Sequence, residues 1–164
     1  MDFLIRLEQS GFAAWVREGG TLWSYPTILF THTIGLATLA GVNAGIDLRL
    51  LGFARRLPLA PLRSLFPLMW IAFAFTAASG TALLIADATT RLASPVFYVK
   101  MLLVLLAVVV LVAIRRLAFT GTGIDERPLS AATKGLAFAS ILLWIGATTA
   151  GRLMAYLGPV GGFE

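Results

Sequence analysis

Residues 22–46, LWSYPTILFTHTIGLATLAGVNAGI, run for 25 positions without an Asp, Glu, Lys or Arg. As an α-helix this stretch would be about 37 Å long, which is enough to cross a bilayer with some tilt. Three further apolar stretches follow, one of them built around MLLVLLAVVVLVAI at residues 101–114. The four predicted membrane spans cover about residues 22–48, 64–87, 95–117 and 132–157.

The composition requires lipid as the solvent for most of the chain. Of the 164 residues, 59% are hydrophobic and 13% are charged, whereas a soluble domain carries about 25% charged residues. The mean hydropathy is +0.88. The sequence contains no cysteine, which excludes disulfide frameworks, thiolate zinc sites and iron–sulfur clusters. The net charge of +5 comes from basic residues beside apolar runs, so we expect no nucleic-acid partner.

Short connections between the spans favour an all-α, up-down four-helix transmembrane bundle over residues 21–164. A separate element precedes it. Within residues 2–18 the apolar side chains share one helical face, which predicts an amphipathic helix in the membrane interface, followed by a turn that ends at residue 20. Arg6 and Glu8 interrupt any apolar core there, so we do not expect a signal peptide. The apolar face comprises Phe3, Leu4, Leu7, Gly11, Phe12, Trp15 and Val16.

Basic residues are distributed unequally between the two ends of the predicted bundle. Eight lie in or beside the first and third connections, and five lie at the opposite end. The positive-inside rule therefore places the first and third connections in the cytoplasm and both termini in the periplasm, for a chain in a bacterial inner membrane. The eight residues are Arg49, Arg55, Arg56, Arg63, Arg115, Arg116, Arg127 and Lys134.

His32, the only histidine, lies about 4.5 Å outward of the middle of the first predicted span. A polar ring at this depth needs a partner inside the bundle. Two interpretations remain open, a structural hydrogen bond to a neighbouring Ser or Thr and an axial ligand of a metal or haem iron. Other polar residues of the outer half lie at a similar depth, among them Thr76, Ser79 and Thr148.

Lys100 and Arg152 each lie a turn or more inside a predicted span. They either extend to the lipid headgroups or pair with haem propionates. Gly35, one turn from His32, would let a flat macrocycle approach the backbone. These residues predict a haem b site with His32 as the axial ligand, and its other members are Gly35, Thr76, Ser79, Lys100, Thr148 and Arg152.

A six-coordinate haem needs a second axial ligand, and the chain has no second histidine. The haem would therefore be five-coordinate, or two copies of His32 would share it in a homodimer.

The cytoplasmic half of the bundle is predicted to be mostly apolar packing. There, Asn43 is expected to bridge two helices, and Asp47 and Arg49 are expected to form a local ion pair at the end of the first span. Ala37, Gly41 and Gly45 recur every four residues, and such a small-residue stripe allows another helix to pack closely.

The motif Trp23-Ser24-Tyr25-Pro26 with His32, together with Gly41 to Gly52 (GVNAGIDLRLLG), resembles a group of small uncharacterised bacterial four-helix inner-membrane proteins. The segment Pro95-Val96-Phe97-Tyr98-Val99-Lys100 is similar to a motif of that group and, more distantly, of copper-resistance CopD-type membrane domains. The resemblance covers residues 22–157 and implies the four-helix fold. It directs attention to His32, Asp47, Arg49 and Lys100, and it implies no particular activity.

Three functions compete on this evidence. The first is a haem b membrane protein that transfers electrons or senses a gas or redox state; the second is a cofactor-free accessory or scaffold subunit of a larger membrane complex. A transporter of a small anion or metal is disfavoured, because the inner half offers few polar residues to continue a pathway. We expect a non-catalytic protein, as a homodimer or a subunit of such a complex.

The predicted orientation is tested by labelling single cysteines introduced into the cysteine-free chain. A membrane-impermeant maleimide added to intact spheroplasts should leave Arg55→Cys unlabelled, because the basic connections face the cytoplasm. Thr90→Cys, in the short connection of the opposite end, should react and serves as the control. Labelling of position 55 but not of position 90 would reverse the orientation.

Overall fold

The computed structural model describes residues 2–121, 123–126 and 128–156, and every regular element in that part of the chain is a helix. Arg127 and Leu157, which belong to the predicted basic connection and the fourth predicted span, lie outside the described residues. In chain order the helices are α1 (Asp2–Glu8), α2 (Gly11–Glu18), α3 (Tyr25–Leu51), α4 (Leu65–Ala86), α5 (Ala88–Ala93), α6 (Pro95–Ala118) and α7 (Ala131–Tyr156). A 3₁₀ turn, Ala60–Ser64, leads into α4.

Four of these helices, α3, α4, α6 and α7, are long and apolar enough to cross a membrane. Their ends lie within three residues of the predicted spans. Prolines occupy the first turns of α3 and α6, where a missing backbone N–H removes no helical hydrogen bond. Gly52 ends α3 in the left-handed conformation, with φ +107°, a backbone geometry that favours glycine.

Helix α3 is the central element, since it packs against both α4 and α7, while α6 packs against α7. Contacts between α3 and α4 pair early residues of one with late residues of the other, so the two helices run antiparallel. Most of the buried side chains between the helices are apolar. The largest of them are Leu39, Ile46, Leu50, Phe66, Met69, Leu111, Ile114, Phe119 and Trp144.

The N-terminal segment forms two short helices, so the prediction of one continuous amphipathic helix over residues 2–18 is wrong. Ser10 is the reason for the break, because its hydroxyl accepts a hydrogen bond from the Ala13 N–H and caps the start of α2. Ala13 and Val16 are buried against the bundle, whereas Phe3, Phe12 and Trp15 are exposed. The exposed aromatic side chains fit an element that lies at a membrane surface.

Two polar contacts hold α1 and α2 on the bundle. The Glu8 carboxylate accepts hydrogen bonds from the Thr89 backbone N–H (3.0 Å) and hydroxyl (2.6 Å), at the start of α5. The Arg17 guanidinium donates to the Ala86 carbonyl oxygen at 2.9 Å, at the end of α4, and lies 3.5 Å from Glu8. The hydrogen bonds from Thr89, and secondarily the charge of Arg17, hold the pKa of Glu8 below its usual range.

The opposite end of the bundle, which carries residues 52–64, 119–121, 123–126 and 128–130, is called the arginine-rich end below. There Asp125 accepts hydrogen bonds from the Leu59 and Ala60 backbone N–H groups, which fixes the connection after α6 against the 3₁₀ turn. The Arg49 guanidinium donates to the Leu57 and Arg55 carbonyl oxygens. The predicted Asp47–Arg49 ion pair is therefore wrong, because the turn at Gly52 brings backbone carbonyls to Arg49 while Asp47 faces the interior.

Replacing Glu8 with Gln should loosen the N-terminal helices, since a hydrogen bond to a charged acceptor is exchanged for one to a neutral acceptor. We expect a loss of about 1 kcal/mol of stability at neutral pH, measured by thermal unfolding in detergent. Because the pKa of Glu8 is lowered in the folded chain, the loss should disappear as the pH falls through that lowered pKa. Glu18→Gln is the control, because the Glu18 side chain is exposed. An equal loss of stability in both variants at neutral pH would contradict the contact between Glu8 and Thr89.

Candidate functional site

His32 lies about two turns inside α3, and its ring is held against α4. Its Nδ1 atom is 3.0 Å from the Thr76 carbonyl oxygen and 3.1 Å from the Ser79 hydroxyl oxygen. The ring is half-buried. The structure therefore brings together three of the residues predicted to form the site, and His32 lies within hydrogen-bond distance of a Ser, as the structural interpretation of this residue expects.

The hydrogen bonds determine which ring nitrogen carries the proton. A carbonyl oxygen only accepts, so Nδ1 of His32 must donate to Thr76. The Ser79 hydroxyl donates within its own helix, with the Phe75 carbonyl oxygen 2.6 Å away, and its lone pairs can therefore face Nδ1. In the neutral ring the free lone pair then lies on Nε2, which has no hydrogen-bond partner among the described residues.

Glycines allow the close approach of α3 and α4 around this hydrogen bond. A methyl carbon placed on Gly35 would lie 2.5 Å from the Thr76 hydroxyl oxygen and 3.1 Å from the Ala72 carbonyl oxygen. A methyl carbon on Gly80 would lie 3.0 Å from Cε1 of His32. The space predicted beside Gly35 for a macrocycle is thus taken by α4 itself.

An open groove lies beside the same contact. An apolar groove of about 290 Å³ runs between α3 and α4, next to His32 along the chain. Its lining includes Thr31, Gly35, Thr38, Ala72 and Phe75.

Two cations lie on the side of His32 nearer the N-terminal end of the bundle, which is the end that carries α1, α2 and α5. Lys100 is half-buried and packs over Gly151 of α7. Arg91 pairs with Asp87 at 2.9 Å and donates to the Met154 carbonyl oxygen at 3.3 Å, near the end of α7. Sequence reasoning missed Arg91. Its position depends on the short helix α5, which forms in a stretch that was predicted only as a connection between two spans.

Two predicted site residues do not join this group. The Thr148 hydroxyl donates to the carbonyl oxygens of its own helix at Trp144 and Ile145. Arg152 is exposed on α7, as the alternative interpretation of a side chain that extends to the headgroups expects.

A second polar group lies toward the arginine-rich end, in the half predicted to be mostly apolar packing. Asn43 and Asp47 of α3 and Ser140 of α7 are all fully buried, with 1%, 0% and 0% of their surfaces exposed. The Asn43 amide donates to Asp47 (2.6 Å) and to Ser140 (2.7 Å). Asn43 does bridge two helices, as predicted. Ser140 was missed, because its contact with Asn43 depends on α3 and α7 being neighbours and on how each helix is rotated.

Within the described residues, no three His, Asp or Glu side chains are close enough to hold a metal ion by themselves. Comparison with known proteins gives no matching family model, no matching curated protein and no matching solved structure. The resemblance to small four-helix membrane proteins therefore stays a prediction, and the site has to be interpreted from its geometry.

Gly35→Ala should weaken the contact between α3 and α4, since the added methyl group meets Thr76 and the backbone at Ala72. We expect a loss of about 1–3 kcal/mol, typical of overpacking, measured by thermal unfolding in detergent. Gly135→Ala is the matched control, because its methyl group would meet nothing within 4 Å. A Gly35 variant as stable as the Gly135 variant would show that the two helices are not in close contact there.

Proposed function

We propose that α3, α4, α6 and α7 cross a bacterial inner membrane as an up-down bundle, with the arginine-rich end in the cytoplasm. Exposed aromatic residues at the N-terminal end support a membrane–water interface there, because Trp and Tyr concentrate at both interfaces of a bilayer. They are Trp15, Trp23, Tyr25, Tyr98 and Tyr156. The exposed arginines of the other end fit the positive-inside rule.

We further propose that the protein binds haem b through Nε2 of His32 and serves in electron transfer or in gas or redox sensing. The observation that carries this proposal is the hydrogen bond from Nδ1 to the Thr76 carbonyl oxygen. Histidines that ligate metals almost always donate their other ring N–H in this way, which fixes the tautomer and raises the basicity of the ligating nitrogen. A purely structural histidine would not need a free Nε2 inside a membrane.

Because α4 fills the space beside Gly35 and Gly80, a haem held by Nε2 would lie outside this close contact. The apolar groove along the two helices offers a surface for part of a porphyrin. Lys100 and Arg91 lie toward the N-terminal end, where cations would pair with two propionates. Bound haem would supply a one-electron couple or a coordination position for a gas.

The accessory-subunit alternative is favoured by one separate observation. Gly41 and Gly45 of α3 are exposed, and a methyl carbon on either would meet nothing within 4 Å. With Ala37, also exposed, they leave a face of small residues to which a helix of a second protomer or of a larger complex can pack. A homodimer in which two copies of His32 share one haem would need a further contact, because at about 100° per residue Gly41 points about 180° away from His32.

His32→Ala should abolish the Soret band of protein purified after haem supplementation, while the helix content measured by circular dichroism stays unchanged. Thr33→Val is the matched control, because Thr33 is exposed and its hydroxyl donates only within α3. Lys100→Ala should weaken haem retention without abolishing it, since its ammonium would pair with a propionate.

Haem stoichiometry and spin state test the proposed coordination. One haem per two chains with a low-spin spectrum supports a haem shared by two His32 side chains, and one high-spin haem per chain supports five-coordination. A wild-type chain without a Soret band after supplementation would overturn the haem proposal and leave the accessory-subunit alternative.

A further inference from the structure

Asp47 is a carboxyl group inside the bundle that the proposed haem site does not use. It lies one turn before the end of α3, three turns or more from His32 along the helix, and none of its surface is exposed. A carboxyl group at such a position is costly to keep in a membrane, and intramembrane carboxyl groups mark proton and ion sites.

The hydrogen bonds around Asp47 leave one carboxyl oxygen without a partner. The Asn43 amide uses one N–H on Oδ2 of Asp47 and the other on Oγ of Ser140. The Oδ1 atoms of both Asp47 and Asn43 are buried and have no hydrogen-bond partner in the described part of the chain. Two oxygens that only accept thus remain in an apolar environment.

No cation compensates a negative charge at this position. Among the described residues no Lys, Arg or His nitrogen lies within 4 Å of the Asp47 carboxyl group. Helix α4 contains no Asp, Glu, Lys or Arg, and the charged residues of α7, Lys134 and Arg152, are exposed. On α3 itself, Arg49 donates to the connection that follows the helix.

The other charged groups that the structure describes at this end also face away from Asp47. Arg63 of the 3₁₀ turn and Arg115 and Arg116 of α6 are exposed. Asp125 is engaged by the backbone N–H groups of Leu59 and Ala60.

We propose that Asp47, with Asn43 and Ser140, is a proton-binding site in the half of the bundle nearer the arginine-rich end. The carboxylate takes a proton from a hydronium ion on Oδ1, which yields a neutral carboxylic acid and water. Protonation removes the buried charge and turns the unpartnered oxygen into a donor. The site is thus neutral when occupied, and it becomes charged when the proton leaves.

A metal cation fits this arrangement less well than a proton. Hard cations take six or more oxygen ligands, whereas this cluster offers the carboxyl group, one amide oxygen and one hydroxyl. Both N–H groups of Asn43 also point at the oxygens of Asp47 and Ser140, in the space that a cation between them would occupy.

Infrared spectroscopy of the full chain in lipid nanodiscs tests the proposal. At neutral pH the wild type should show the C=O stretch of a protonated carboxylic acid, shifted by exchange into D₂O, and Asp47→Asn should lack that band. Glu126→Gln, which changes an exposed carboxylate, should keep it. Identical wild-type and Asp47→Asn spectra in this region, with only carboxylate bands, would overturn the proposal.

A second variant keeps the test decisive if Asp47→Asn does not fold. Ser140→Ala removes a neighbouring hydroxyl but keeps the carboxyl group, so the band should shift in frequency without being lost. A band that stays unchanged in Ser140→Ala would belong to another carboxyl group and would contradict the assignment. Neither measurement requires haem, so a failure of the haem proposal leaves this test unaffected.

Discussion

The polar side chains of α3 need hydrogen-bond partners inside the bundle, and the placement of the neighbouring helices satisfies that need. An unpartnered polar group in hydrocarbon costs several kcal/mol, so each one constrains which helix can lie beside α3. His32 is partnered by the backbone and a hydroxyl of α4. Asn43, two to three turns further along α3, is partnered by Ser140 of α7.

Helix α3 contacts α4 and α7 in different ways, and one candidate site lies at each of the two contacts. Against α4, Gly35 and Gly80 permit a close approach, and Nε2 of His32 has no hydrogen-bond partner within the described part of the chain. Against α7, a fully buried network surrounds Asp47. The proposed haem would lie at the surface of the bundle, whereas the proposed proton site lies within it.

The sequence predicts much of the architecture, because helix length and apolar character are local properties. The four spans, and the depth shared by His32 and Ser79, follow from counting residues along each helix. Contacts across the bundle are harder to predict, because they depend on which helices are neighbours and on how each is rotated. Ser140 was missed for that reason. Arg49 was predicted to pair with Asp47, because helical periodicity does not predict the turn at Gly52. That turn brings backbone carbonyl oxygens to the Arg49 guanidinium.

The proton position on His32 tests the account most directly, because the contact between α3 and α4 and the free Nε2 atom both depend on it. Since His32 is the only histidine, ¹⁵N-histidine labelling gives a solid-state NMR spectrum in lipid bilayers that reports this ring alone. The account predicts, for haem-free protein, a neutral ring with a protonated Nδ1 that correlates with the Thr76 carbonyl carbon, and an unprotonated Nε2. A ring protonated on Nε2 alone, or on both nitrogens, would contradict it.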